Sequence, residues 1–367
     1  MFEWGIGTSV PARTREYPIS ISPTEVTSSR GTLGLRRRLR YLANRVIALD
    51  IASLWRVAGQ IAHSARRPRL VILVDMLWCA VAYESGFQDY LDWDFHLLTR
   101  RQRKTYMTHP KSNHLAQKLN VREYRSLFAN KTEFNRHFGA WVGRDWLDVR
   151  TTTTDELKEF VLRHGRVMVK VADSIGGEGI EKREAGDVVD WDAFRAELLG
   201  KRQFLVEEFL VQHETMATLS PSSVNTLRVI TFFDGTRVHI LARVLKMGNG
   251  GDVDNFSHGG MYTMLDERGV ARHPAFDGTG ATFPRHPLTG VDIVDFAVPL
   301  YEEVLTLVEE VARVVPQIPY VGWDIAITPD GPVVIEGNYN TGVFQLKPST
   351  SGVKTGLLPV YKAAIGF

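Results

Sequence analysis

The stretch from Tyr320 to Asn338, YVGWDIAITPDGPVVIEGN, decides how the rest of this chain is read. Over Gly322–Thr328, Trp323, Ile325 and Ile327 alternate with Asp324, Ala326 and Thr328, the period of a half-buried strand. ProAspGlyPro at 329–332 supplies a turn, and Val333, Val334 and Ile335 open a second strand. Such a hairpin returns Asp324 to the neighbourhood of Glu336 and Asn338, so two carboxylates and an amide converge there. A few oxygen donors with open positions suit a hard divalent ion that carries phosphate oxygens. Mg²⁺ fits best, with Mn²⁺ able to stand in. The competing reading is a solvated turn in which Asp324 pairs with an arginine and Asn338 caps a strand end.

With 367 residues the chain is too long for one ordinary core and suits two or three subdomains. Apolar residues make up 44% and charged residues 23%, the composition of a soluble globular protein rather than a disordered or fibrous one. A net charge of +2 is too balanced to point to nucleic acid, and no zinc-finger or ribonucleoprotein pattern appears. The single cysteine, Cys79, sits in an apolar run and reads as a packing residue. No signal-peptide pattern opens the chain and no run of about twenty apolar residues occurs, so the expected compartment is the cytoplasm and no membrane span is expected.

Residues 1–32 mix Gly, Pro, Ser and Thr without periodicity. Leu33–Arg69 has a helical pattern and is strongly basic, with Arg36, Arg37, Arg38, Arg40, Arg45, Arg56, Arg66, Arg67 and Arg69 against Asp50. A basic amphipathic helix can lie on an anionic membrane surface, but the favoured expectation is a helix whose apolar stripe packs on the body. Residues 70–110 read as a helical subdomain, in which Arg100, Arg101 and Arg103 reach an acidic group only if they face inward. Lys131 falls in the first turn of a helix carrying Phe134, Phe138 and Trp141, within reach of a phosphate or simply at the surface.

The threonines of 151–154 followed by Asp155 and Glu156 start a helix that ends near Gly165. Val167–Val171 is then a buried strand carrying Lys170, and the loop Ser174, Ile175, Gly176, Gly177, Glu178, Gly179 follows. A strand lysine with a glycine loop suggests polyphosphate, against the alternative of a glycine-rich hairpin turn. Leu205–Leu210 is an apolar strand holding Glu207 and Glu208, with Glu214 just beyond it. Arg228 lies inside an apolar strand, which is costly unless it meets an anion, so it is a candidate for a phosphate or a developing oxyanion. Arg243 and Lys246, on the partner strand after the Asp234–Gly235 turn, are secondary phosphate candidates. The polar glycine loop 247–261, with Asp254, Asn255 and His258, reads as an active-site loop, although a lone histidine is more often a hydrogen-bonding residue than a catalyst. Val298–Val315 forms an amphipathic helix, and the tail ends in a short apolar helix.

In this order the motifs resemble the ATP-grasp superfamily, and SPSSVNTLRV, DVDNFSHGG and YVGWDIAITPDGPVVIEGN resemble its sugar-transfer-associated family. The likeness spans about residues 70–345. It implies an α+β ATP-grasp fold, two α+β subdomains clamping ATP, with an N-terminal helical region. The expected division is 1–110 for the arm and helices, 111–206 for the subdomain with the lysines and lid loop, and 207–367 for the hinge, metal site and substrate loop. By resemblance, Lys131 and Lys170 contact nucleotide phosphates, and Ser174–Gly179 is the lid. Glu207, Glu208, Phe209 and Leu210 line the adenine, and Glu214 binds ribose. Asp324, Glu336 and Asn338 hold Mg²⁺, Arg228 sits at the transferred phosphoryl group, and Asn255 and His258 lie near the acceptor. The activity implied is an ATP-dependent carboxylate–amine ligase working on small molecules through an acyl phosphate, with ADP and phosphate released. A kinase acting on a hydroxyl acceptor and a non-catalytic ATP-binding subunit of a sugar-polymer or cell-envelope assembly are the alternatives.

Overall fold

The computed structural model describes residues 51–172, 179–250, 254, 256 and 259–367. From Ile51 onward the described residues form one compact unit. It begins with two paired helices, α1 (Ile51–Ala65) and α2 (Arg69–Ala82), followed by short helical turns and α3 (His109–Leu119). The break between α1 and α2 falls at Arg66–Pro68, where the ring of Pro68 fixes φ near −58° ahead of the first turn of α2. Arg103 does face inward, with both terminal nitrogens 2.7 Å from the Asp75 carboxylate. The next helix, α4 (Lys131–His137), starts where the sequence placed it, because the Asn130 carboxamide oxygen accepts from the backbone N–H groups of Thr132 and Glu133.

A four-stranded antiparallel sheet follows, made of β1 (Trp146–Asp148), β2 (Arg166–Lys170), β3 (Ile180–Glu184) and β4 (Leu205–Glu208) in the order β1-β4-β2-β3. Helices α5 (Thr154–His164) and α6 (Trp191–Gly200) cover one face. Leu157, Phe160, Val161, Phe194 and Leu198 close a core there against Val167, Val169 and Val206. The α5 start is a reciprocal cap in which Thr153 and Glu156 satisfy each other's backbone N–H groups. Gly165, at φ +69°, ends it.

The second sheet has seven antiparallel strands in the order β11-β10-β5-β6-β7-β8-β9. They are β5 (Thr226–Phe233), β6 (Val238–Met247), β7 (Met261–Met264), β8 (Ala275–Asp277), β9 (Thr282–Phe283), β10 (Tyr320–Thr328) and β11 (Gly331–Asn338). On one face Leu227, Val229, Leu245, Trp323 and Ile325 pack against α7 (Tyr301–Val311) and against Phe134 and Phe138. On the other, Ile230, Phe232 and Tyr320 meet Ile61, Ile72 and Met76 of the first helices and Tyr361 of α8 (Leu358–Ile365). Burying one such side chain is worth about 1.5–3 kcal/mol, which makes these two cores the main source of stability.

Two expectations change. β10 is buried on both faces rather than half-buried, because helices cover the sheet on each side. The hairpin turn is also tighter than ProAspGlyPro, since Thr328 already pairs with Gly331 and only Pro329 and Asp330 connect the strands. Helix α4 sends Phe134 into the core of the seven-stranded sheet, while its Asn135 reaches Glu207 of the four-stranded sheet that follows it in sequence. Among the described residues no helix is long and apolar enough to cross a membrane.

Candidate active site

The two sheets face each other across a cavity of about 750 Å³, within the range of ligand sites. Strand parity chooses what enters it. Arg228 stands opposite Asp324 on one side and Val244 on the other, and Asp324 stands opposite Glu336, so all of these point to one face. The α1–α3 region and the C-terminal segment cover that face at Ile230, Phe232 and Tyr320, and the ends carrying Thr226, Arg228, Lys246, Asp324, Glu336 and Asn338 are left to line the cavity.

Arg228 is buried, and its Nε and Nη2 grip both oxygens of Asp324, the second at 2.6 Å. Lys246 Nζ lies 3.3 Å from Asp254 Oδ1 and 3.6 Å from Asp324 Oδ2. Asp254 Oδ2 in turn accepts the Thr226 N–H at 3.0 Å, which ties this residue of the 247–261 loop to the sheet. Burial alone would push the Asp324 carboxyl up. The charges of Arg228 and Lys246 more than reverse this and hold it at about 2. Burial likewise works against the charge of Lys246, and Asp254 and Asp324 overcome it, so its ammonium is held above the ordinary lysine range. Asn338 Nδ2 donates to Glu336 Oε1 at 3.1 Å.

The arginine pairing that competed with metal binding is therefore present at Asp324. It leaves room for a metal, since each carboxylate oxygen accepts along two directions and the fork uses one of each. Asp254, Asp324 and Glu336 set three negative charges against the two positive charges of Arg228 and Lys246, a surplus of one. A hard divalent cation with oxygen ligands fits such a donor set.

The opposite wall is built around Glu207. Its Oε1 accepts from Arg144 Nη2 at 2.7 Å and Asn135 Nδ2 at 2.6 Å, and Lys170 Nζ pairs with its Oε2. The Glu207 and Arg144 side chains are only 2% and 3% exposed. Burial opposes the Glu207 charge, but Arg144 and Lys170 hold the carboxyl well below the usual range. Lys170 thus reaches the cavity as expected, already held by an acid. Glu208, Phe209 and Leu210 line the cavity beside Met168, and Glu208 also accepts the Asp145 N–H at 3.1 Å.

The remaining expected residues are placed differently. Arg243 stands opposite Val229, so it points to the far face, beside Tyr301 of α7. Glu214 is exposed at the start of the short helix Glu214–Leu219 and does not line the cavity. Lys131 does not line it either, although its N–H bonds to Ala172 O at 2.8 Å, where the glycine loop departs. Gly179, the described end of that loop, has φ +70°, and a β-carbon there would come within 2.4 Å of Val171. Ser174, Gly176, Gly177, Asn255 and His258 lie outside the described residues. Sequence reading missed Arg144. Nothing in GlyArgAsp at 143–145 marks it as buried, since only the long-range packing of that turn brings it to Glu207.

Residues 195–357 match the family model described as sugar-transfer associated ATP-grasp. Over that stretch the chain resembles the ATP-grasp family. No curated protein matches it. Among solved structures, the ATP-grasp ligase PsnB with its minimal precursor is 17% identical, with TM-score 0.42 and 77% of each chain covered. PsnB with a phosphomimetic variant of that precursor, Mg and ADP is 16% identical, with TM-score 0.41, covering 68% of this chain and 61% of the other. D-alanyl-alanine synthetase A from Vibrio cholerae O1 biovar eltor str. N16961 is 15% identical, with TM-score 0.40 and 67% of each chain covered. The chain thus spans 61% to 77% of the length of these proteins, and likenesses at this level carry no residue roles across.

Proposed function

We propose that this chain is an ATP-grasp enzyme, an ATP- and Mg²⁺-dependent ligase that joins a small carboxylate to an amine. The observation that carries the reading is the placement, around one cavity, of Arg228 and Lys246 beside the oxygen donors Asp324, Glu336 and Asn338, with Lys170 on the opposite wall. Cations positioned before reaction stabilise phosphoryl transfer without a protein nucleophile, and among the described residues no cysteine lines the cavity.

In the proposed reaction a carboxylate oxygen attacks the γ-phosphorus and the bond to the β–γ bridging oxygen breaks, so ADP leaves. The amine then attacks the acyl carbon, phosphate leaves, and the amine gives up a proton. Asp324, Glu336 and Asn338 would hold Mg²⁺, which when bound neutralises phosphate charge and orients the phosphates. Arg228, released in part from Asp324, faces the transferred phosphoryl group, and Lys246 balances the charge behind it. Lys170 exchanges its hold on Glu207 for a nucleotide phosphate. Met168, Phe209 and Leu210 supply apolar surface for the base. By their place in the sequence, Lys131 and the loop 174–179 are assigned to the nucleotide phosphates, and Asn255 and His258 to the acceptor. The boundary between the two ATP-grasp halves falls near residue 207, where β4 leads out of the smaller sheet.

The test is incubation with Mg²⁺, ATP and pooled amino acids, amino sugars and carboxylic acids, with ADP and phosphate measured beside product mass. Release that needs both a carboxylate and an amine, with a product one water lighter than their sum, is expected. Glu336→Ala should cut it on the order of a hundredfold or more. A stable phosphorylated product without an amide would select the kinase reading. ATP binding without turnover on any pool would favour a non-catalytic role or a larger acceptor.

A further inference from the structure

Helix α2 is apolar on both sides. Ile72, Met76, Cys79 and Ala80 are buried against the body. Leu70, Val71, Val74, Leu77, Trp78 and Val81, at the spacing of one continuous helix face, are exposed, with Leu70 and Val74 at 65% and Trp78 at 53%. Trp55 on the paired helix α1 is exposed as well. Single exposed apolar residues are ordinary, but six on one helix face mark a contact surface.

The charges carried by α1, α2 and the turn between them are mostly basic. Arg56, Arg66 and Arg67 are exposed on α1 and the turn after it, and the Arg69 guanidinium lies 4.0 Å over the Trp55 ring. The one acidic residue of α1 and α2, Asp75, is engaged by Arg103 and Tyr90. A second copy of this face would set arginine against arginine. The sequence before Ile51, with Arg36, Arg37, Arg38, Arg40 and Arg45 against Asp50, would do the same. An apolar stripe with tryptophans, fringed by arginines, complements an anionic lipid surface, in which the stripe enters the acyl boundary and the guanidinium groups stay with the headgroups.

We propose that the exposed face of α2, with Trp55, docks this protein on anionic membrane surfaces. The proposal is independent of the ligase reading, because none of these residues lines the cavity.

The test is co-sedimentation of the full chain with vesicles of phosphatidylglycerol and phosphatidylcholine, and with phosphatidylcholine alone. Binding to the anionic vesicles that weakens with added salt is expected, and V74D/W78D should lower it by at least about tenfold while nucleotide binding stays as in the parent protein. Quenching of tryptophan fluorescence by brominated anionic lipid, reduced in W55F/W78F, gives the same reading with the apolar area kept. No binding of the parent protein to anionic vesicles would overturn the proposal. So would unchanged binding of V74D/W78D, which would move the contact to the arginine-rich residues before Ile51. A dimer in sedimentation equilibrium that V74D/W78D dissociates would assign the face to a second copy, and capture of an acidic protein in place of vesicles would assign it to a protein partner. Either result would sink the membrane assignment.

Discussion

Replacing Glu207 by Gln tests the small-sheet wall of the cavity most directly. The side chain keeps its shape and loses the charge that Arg144 and Lys170 share. Arg144 stays nearly fully buried, with Nη1 still donating to Val142 O and Val334 O at 3.0 Å, so it cannot turn to solvent for compensation. Breaking a buried pair by removing one partner costs about 3–5 kcal/mol. With about 2.1 cal/mol/K of unfolding entropy per residue over roughly 300 folded residues, that is a Tm fall of about 5–8 °C. The control is Glu208→Gln, whose side chain is 41% exposed, and there the expected loss is under about 1 kcal/mol. Urea denaturation of both variants measures the difference. A second readout follows from Lys170, which in the variant has lost its acid. Added ADP and Mg²⁺ should therefore raise the Tm of Glu207→Gln by more than that of the parent protein, because a phosphate restores the missing negative charge. A loss no larger than that of Glu208→Gln, or an equal nucleotide effect in both proteins, would refute the buried Arg144–Glu207–Lys170 arrangement.

Three other outcomes are expected. Arg228→Met and Lys246→Met should each lower ATP turnover on the order of a hundredfold, and Arg243→Met, on the far face of the same sheet, should stay within about threefold. Steady-state ADP release separates them, and equal losses would contradict the strand parity. The Asp324 carboxyl is held at about 2 in the fold, below its ordinary value, so the stability it adds is complete above about pH 4 and lost as pH falls through 2. The gap in stability between the parent protein and Asp324→Asn should accordingly shrink between those pH values in chemical denaturation, and a constant gap would mean that the pairing with Arg228 does not form. Gly143 has φ +60°, and a β-carbon there would stand 2.2 Å from Val333 Cγ1, so Gly143→Ala should cost about 2–4 kcal/mol in thermal melts, with a value below 1 kcal/mol showing that the α4-side turn and β11 are not in contact.

Several features were legible before any fold was known because they are set by neighbours in sequence. The helix starts at Lys131 and Thr154 depend on side chains two or three residues from the backbone groups they satisfy. The β10–β11 hairpin follows from alternation and a turn, and it fixes Asp324 opposite Glu336 whatever surrounds it. The cost of an arginine in an apolar strand pointed to an anion for Arg228, and Asp324 supplies one. Arg243 and Lys246 were indistinguishable in sequence, because parity separates them only once the register of β6 on β5 is known.

What sequence alone determined, then, is the chemistry that short-range rules impose: two carboxylates and an amide at the ends of one hairpin, an arginine and lysines on strands, and a glycine loop after Lys170. Tertiary structure decided which of these share a space. It set Lys170 against Glu207 and Arg144, brought Lys246 and Asp254 to the Arg228–Asp324 pair, and turned Arg243 and Glu214 away. It also decided that the run LeuValIleLeuVal at 70–74, which composition alone makes look like core, buries Ile72 and exposes Leu70, Val71 and Val74. The physical reason is the same in each case. Hydrophobicity and charge specify that a side chain needs a partner, and only the packing of distant elements determines which face of a strand or helix receives one.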